Sequence, residues 1–95
     1  VKRAFTLVAL ALALVACSPA PTPAPVPIPG ATPADACTAL AAESCPEGLD
    51  PKCVDVLTDM MQSRFIEQRA VGCLAASKSP AEARACKTVA CKGVP

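Results

Sequence analysis

Six cysteines, Cys37, Cys45, Cys53, Cys73, Cys86 and Cys91, are spread through a carboxyl-terminal stretch of 63 residues in a chain that has two Phe, no Trp and no Tyr. So small a stretch with so few large side chains buries too little apolar surface to stay folded without cross-links. An even set of Cys in a short, aromatic-poor chain reads as a disulfide framework when the chain is exported. Each bridge then contributes about 2–4 kcal/mol, mainly by restricting the unfolded chain. A seventh cysteine, Cys17, would leave one thiol over, and its surroundings remove it from the set.

Residues 1–16 have the layout of a secretory signal. Lys2 and Arg3 are basic, and the uncharged run Ala4–Cys17 is 14 residues long, short of the roughly 20 that cross a bilayer as a helix. Val1 is read as a GTG start codon translated literally. The run ends in Leu14-Val15-Ala16-Cys17, which resembles the lipobox of bacterial lipoproteins. That resemblance implies cleavage before Cys17, a diacylglycerol on its thiol and acylation of the new amine. Two or more chains of this kind, palmitate among them, hold a protein firmly on a membrane. Ser18, where an Asp would favour inner-membrane retention, implies delivery to the outer membrane of a Gram-negative envelope.

Ser18 to Pro33 then reads SPAPTPAPVPIPGATP, with seven Pro in 16 residues. Proline fixes φ and removes a donor, and it pushes the preceding residue to extended geometry. The expected form of residues 17–32 is a polyproline II tether, rising about 3.1 Å per residue, so that Pro19 to Pro29 spans roughly 30–35 Å and Gly30 is the first free joint. Its alternative role is a recognition strand for a proline-binding groove, but no Arg or aromatic residue flanks it.

Residues 33–95 are expected to be an all-α head of three helices, near 33–45, 51–77 and 80–90. Thr32-Pro33-Ala34-Asp35 and Ser79-Pro80-Ala81-Glu82 each place a cap, a first-turn Pro and an acid in order, and Asp50-Pro51 repeats the device. The middle segment does not behave as one straight helix. At about 100° per residue, Cys53, Val54, Leu57, Met60, Met61 and Phe65 share one face, whereas Ile66, Ala70, Cys73 and Leu74 share nearly the opposite one. A kink or short break at 62–66 is expected, although no Gly or Pro marks it.

Helical rise puts Cys37 and Cys45 about 12 Å apart on one helix, too far to bond. Short loops between antiparallel helices favour Cys45 with Cys53 and Cys73 with Cys86, leaving Cys37 for Cys91. The rival arrangement pairs Cys53 with Cys73 across a folded-back middle segment.

Several chemistries lose their basis. The chain has no His, and Cys86-x4-Cys91 is the nearest thing to a metal-ligand pair, so no metal or cofactor is expected. No C-x-x-C redox pair is present. Without His, activation of a Ser or Cys nucleophile falls to Lys78 beside Ser79, and Ser79 already has a capping role, so no catalytic residue is assigned and the protein is not expected to be an enzyme. Asp55 and Asp59, with Glu47 and Asp50 upstream, are read as a solvated acidic face. Once Lys2 and Arg3 leave with the signal, seven Lys and Arg face eight Asp and Glu with no basic stripe, which argues against a nucleic-acid partner.

The layout of lipobox, Pro-rich tether and a C-x7-C-x7-C-x19-C-x12-C-x4-C head resembles the small Cys-rich lipoproteins of myxobacterium-like Gram-negative bacteria. The resemblance implies anchorage and carries no activity. The functional expectation is an envelope protein held at the membrane by Cys17, with a non-catalytic binding or structural head and an envelope protein as partner. Met60, Met61, Phe65 and Ile66 are the candidate partner surface, because Met suits adaptable contacts beside a break. The alternative is a disulfide-stapled antagonist, a toxin or enzyme inhibitor, tethered or released.

Overall fold

The computed structural model describes residues 21–95. Cys17, the lipobox, the signal segment 1–16 and the first residues of the tether lie outside the described residues. Within them every regular element is helical: α1 (Pro33–Ala42), α2 (Pro46–Leu49), α3 (Cys53–Gln62), α4 (Gln68–Ala76) and α5 (Pro80–Ala85). The all-α head is thus observed, as five shorter helices.

The helix starts follow local chemistry. Thr32 caps α1 in a reciprocal box: its hydroxyl accepts from Asp35 N, and the Asp35 carboxylate accepts from Thr32 N at 2.9 Å. The hydrogen bond from Thr32 N, with a smaller contribution from the Thr32 hydroxyl, holds the exposed Asp35 carboxyl below its ordinary value. Ser79 caps α5 by accepting from Glu82 N, but Glu82 reaches one residue further back, to Lys78 N at 2.7 Å. Asp50 does not start a helix directly. It forms a turn, accepting from Lys52 N at 2.8 Å, and α3 begins at Cys53.

The helix ends explain why three expected helices became five. Ser44, Arg64 and Lys87 all take φ near +60°, the left-handed position that usually falls to Gly. After α1, Ser44 N bonds Ala41 O and Cys45 N bonds Leu40 O. After α3, Arg64 N bonds Met61 O and Phe65 N bonds Met60 O, the same paired closure. The long middle segment therefore breaks at 63–67, one residue later than the expected 62–66. α1 stops at Ala42 and α5 at Ala85, earlier than the expected 45 and 90, for the same reason. Pro46–Leu49, between the first two expected helices, makes a one-turn helix because Pro46 sits at its first position, where its missing N–H costs nothing.

A side chain in the left-handed region costs roughly 1 kcal/mol or more. Arg64→Gly is expected to raise stability by about 0.5–1 kcal/mol, the relief being partly offset by the freer unfolded chain. A higher urea midpoint with unchanged slope would show it; a lower midpoint would mean that the Arg64 side chain contributes packing the backbone argument leaves out.

The core is small. Leu40 of α1 and Val71 and Leu74 of α4 are the largest fully buried apolar side chains apart from cysteines, and Ala36 and Ala83 are sealed beside them. Leu57 and Ile66 complete it from α3 and the break. α1 is the central element, packed on α2, α3 and α4.

All six head cysteines are bridged. Cys73–Cys86 joins α4 to the end of α5 (Cα–Cα 5.7 Å), as expected. The other two pairs differ from expectation: Cys37 bonds Cys53 (6.0 Å) and Cys45 bonds Cys91 (5.0 Å). The reason lies in residues 46–52. They run as one helical turn and a loop back alongside α1, so that the first residue of α3 comes level with the middle of α1, beside Cys37. Cys45, left at the far end, meets the carboxyl-terminal tail.

The tether also differs from expectation along its second half. Ile28 N donates to Gly72 O at 3.2 Å, and Gln68 Nε2 donates to Ala31 O at 2.7 Å. Ala31 N bonds Ile28 O across Pro29-Gly30, with Gly30 at φ 71°. This is a type II turn, with Pro and Gly at the two positions that turn requires. Gly30 is accordingly fixed in a turn, and Ala31 is buried. Residues 25–31 form a strap on α4.

Candidate functional site

The break and the tail bridge together shape an apolar cleft. Leu40, Leu57 and Leu74 form its floor, and Met60 and Ile66 form one wall. Val89 and Ala90 line it from the tail, and the exposed Val56 stands at the lip. The cavity measures about 180 Å³. An open space of this size lined by Leu, Ile and Met accepts apolar groups. Its lip is apolar as well: Val56 is 51% exposed and Val89 75%.

Each wall depends on a specific device. The left-handed Arg64 ends α3 and lets Ile66 turn inward, 8% exposed, beside Met60. The tail is held by the Cys45–Cys91 bridge and by polar clamps on Cys91. Glu47 Oε1 accepts from Cys91 N at 3.1 Å, and Arg84 Nη1 donates to Cys91 O at 3.1 Å and to Val94 O. Glu47, Asp50 and Thr88 are the polar residues at the margin. Glu47 therefore has a structural task that its sequence position did not suggest.

The four residues picked from sequence do not form one surface. Met60 and Ile66 line the cleft, Met61 is half-buried against the core, and Phe65 is 80% exposed and is not among the lining residues. Val56 and Val89 fall outside the surface expected from sequence. Val56 lies one helical turn before Met60, a spacing visible in the sequence. Val89 has no such signal, because its place depends on the Cys45–Cys91 pairing.

Behind the floor, α1 and α4 are tied end to end. The Ser77 hydroxyl lies 2.9 and 3.1 Å from the two Glu43 carboxylate oxygens and 2.8 Å from Leu74 O. Its single proton cannot serve all three. Partial burial pushes the Glu43 carboxyl up from its ordinary value of 4.5, with the negative charge of Glu82 adding to the shift and the Ser77 O–H opposing it. A carboxyl raised by folding favours the folded state while it is protonated, and this contribution is lost as pH rises through the folded value. Glu43→Gln is therefore expected to match or exceed the parent in stability at pH 7. Its amide can donate to Ser77 Oγ and leave the hydroxyl for Leu74 O. The advantage should shrink as pH falls toward 4.5. Urea midpoints at pH 4 and pH 7 measure it, and a variant less stable at pH 7 would contradict it.

Among the described residues no group of three or more Cys, Asp or Glu side chains is placed to hold a metal ion, and no buried polar side-chain atom lacks a partner. Ser79 is engaged as a cap, and Asp55 and Asp59 are exposed on α3. Among the same residues no helix is long and apolar enough to cross a membrane. Compared with known proteins, the chain matches no family model, no curated protein and no solved structure.

Proposed function

We propose that this chain is a lipid-anchored protein of the bacterial envelope whose head is a non-catalytic binding module, with the cleft between α1, α3 and the tail as its binding site. The observation that carries the binding role is the cleft: an apolar space of about 180 Å³ whose lip residues stay exposed although they contribute little to the core. Exposed Val at the mouth of a preformed apolar pocket is the arrangement that accepts a partner's side chain or a small apolar ligand. Anchorage rests on Leu14-Val15-Ala16-Cys17, and the outer membrane on Ser18.

The test has two arms. Cells producing the full chain are given labelled palmitate; incorporation that disappears in Cys17→Ser supports the anchor, and no incorporation removes it. A photo-reactive side chain at position 56 or 89 is then cross-linked in intact envelopes. A discrete adduct that Val56→Glu or Val89→Glu placed at the other lip position abolishes supports the module, and these exposed positions leave the fold intact. Growth arrest or enzyme inhibition by the soluble head, with no envelope adduct, assigns the head to the antagonist class instead.

A further inference from the structure

The strap on α4 has the features of a bound ligand. Residues 25–31 cross the helix where Gly72 stands, and a Cβ there would lie 2.6 Å from Ile28 O and 3.2 Å from Pro27 Cβ. The strand thus touches the helix backbone itself. Its polar contacts use main-chain groups of the strap: Ile28 N to Gly72 O, and Ala31 O from Gln68 Nε2. Pro25 O lies against the Cys73 sulfur at 3.8 Å, a packing contact, since a bridged sulfur carries no proton. Val26 is 84% exposed and Ile28 47%, so the side chains between the prolines point largely to water. What the head grips is an extended proline-rich backbone. Such a strand is already ordered before it binds and loses little entropy on docking.

The strap does not fill the face it lies on. Open space beside it is lined by Ala24–Pro27 and, on the head, by Ala70, Ala85, Lys87 and the charged Glu67 and Arg69. The polar hold is also modest, because the two hydrogen bonds to the strap's main chain, one from the Gln68 side chain, contribute only about 1 kcal/mol each.

We propose that this face of α4 is a binding site for a proline-rich extended strand, that Pro25–Ala31 is its resident occupant, and that the strap of a second copy can replace it. The occupant is identified by the one already seated: the same sequence on another copy meets the same Gly72 and Gln68. The two-copy exchange differs from the cleft in site and chemistry and stands or falls separately from it. Because the resident strap is linked in cis, its effective concentration is in the millimolar range, and a competing strand must reach about that level.

The test uses the oxidised mature chain carrying Cys17→Ser, isotope-labelled for amide NMR, titrated with a synthetic peptide of residues 18–32. The expected result is progressive shifts of the Ile28 and Gly72 amides and of the Gln68 side-chain amide, half complete at about 1–10 mM. A peptide with Pro25, Pro27 and Pro29 replaced by Ala should leave them unmoved. In Gly72→Ala the added methyl displaces the resident strap, so the Ile28 amide loses protection and the peptide no longer shifts residues of α4, with the three bridges intact by mass. Should that variant not fold, Gln68→Ala, at an exposed position, is expected to weaken binding several-fold. Absence of shifts at tens of millimolar peptide, or equal shifts from the Pro-to-Ala peptide, would overturn the proposal.

Discussion

Replacing Cys45 and Cys91 together by Ala is expected to remove more stability than any other paired change in the head. The bridge spans 46 residues, against 16 for Cys37–Cys53 and 13 for Cys73–Cys86. In the chain-entropy account, closing the longest loop restricts the unfolded ensemble most, giving about 4 kcal/mol here and about 3 kcal/mol for each shorter bridge. A domain of this size is stable by only about 3–10 kcal/mol in total. Both half-cystines are fully buried, so Ala is the replacement to use; Ser would add the separate cost of two sealed hydroxyls. The native state suffers as well. Without the bridge the tail relies on Glu47, Arg84 and the small side chain of Ala90. Val89 and Ala90 then no longer hold the cleft wall. The measurement is a urea transition on the double variant, with the remaining two bridges verified by mass. The expected outcome is a lowering of about 4 kcal/mol, or no cooperative transition at 37 °C. An unchanged midpoint would mean that the polar clamps hold the tail unaided, and that the loop-length ordering does not govern this head.

What could be read from sequence, and what could not, divides by the range of the interaction. Thr32 and Ser79 announced the starts of α1 and α5 because a cap is a contact across three residues, complete within the local chain. Cys73–Cys86 follows the expectation that partners flank one short connection, an expectation that fails for Cys45 and Cys53. The ends of α1, α3 and α5 were silent, because Ser44, Arg64 and Lys87 occupy a backbone position where Gly or Asn would have been a signal. Only the jump of the apolar stripe at Phe65–Ile66 betrayed the break. The crossing of Cys37–Cys53 with Cys45–Cys91 was out of reach, since it depends on how far residues 46–52 carry the chain back along α1. The docking of the strap gave no signal, because proline excludes helix and ladder pairing but does not exclude docking of the main chain on a helix. The cleft inherits these limits: Met60 and Ile66 came from the stripe, whereas Val89 came only with the tail bridge.

Gly48→Ala is the second large effect, and it tests the same corner from the backbone side. Gly48 lies on the one-turn α2, and its φ is negative, so conformational freedom is not the reason for Gly. Space is the reason. A Cβ at this position would overlap the Ala41 nitrogen and the Leu40 carbonyl carbon, and would stand 2.6 Å from Leu40 Cβ. All three belong to α1, and two are main-chain atoms that cannot move alone. The methyl must push α2 away from α1 as a unit. That displacement acts on Cys45, which precedes α2 and is bonded to the tail, and on Leu40, which is buried in the cleft floor. Overpacking in a rigid contact usually costs about 1–3 kcal/mol, and a clash with main-chain atoms belongs at the upper end. The expected result is a loss of about 2–3 kcal/mol, with the three bridges still formed and the amide resonances of Leu40, Cys45 and Ala90 displaced. If the double Cys45/Cys91 variant is combined with Gly48→Ala, the two losses should sum to less than their separate values. The freed α2 can then move aside, and neighbouring sites that share a constraint are not additive. Full additivity, or a cost near zero for Gly48→Ala, would show that α1 and α2 do not approach as closely as the fold requires.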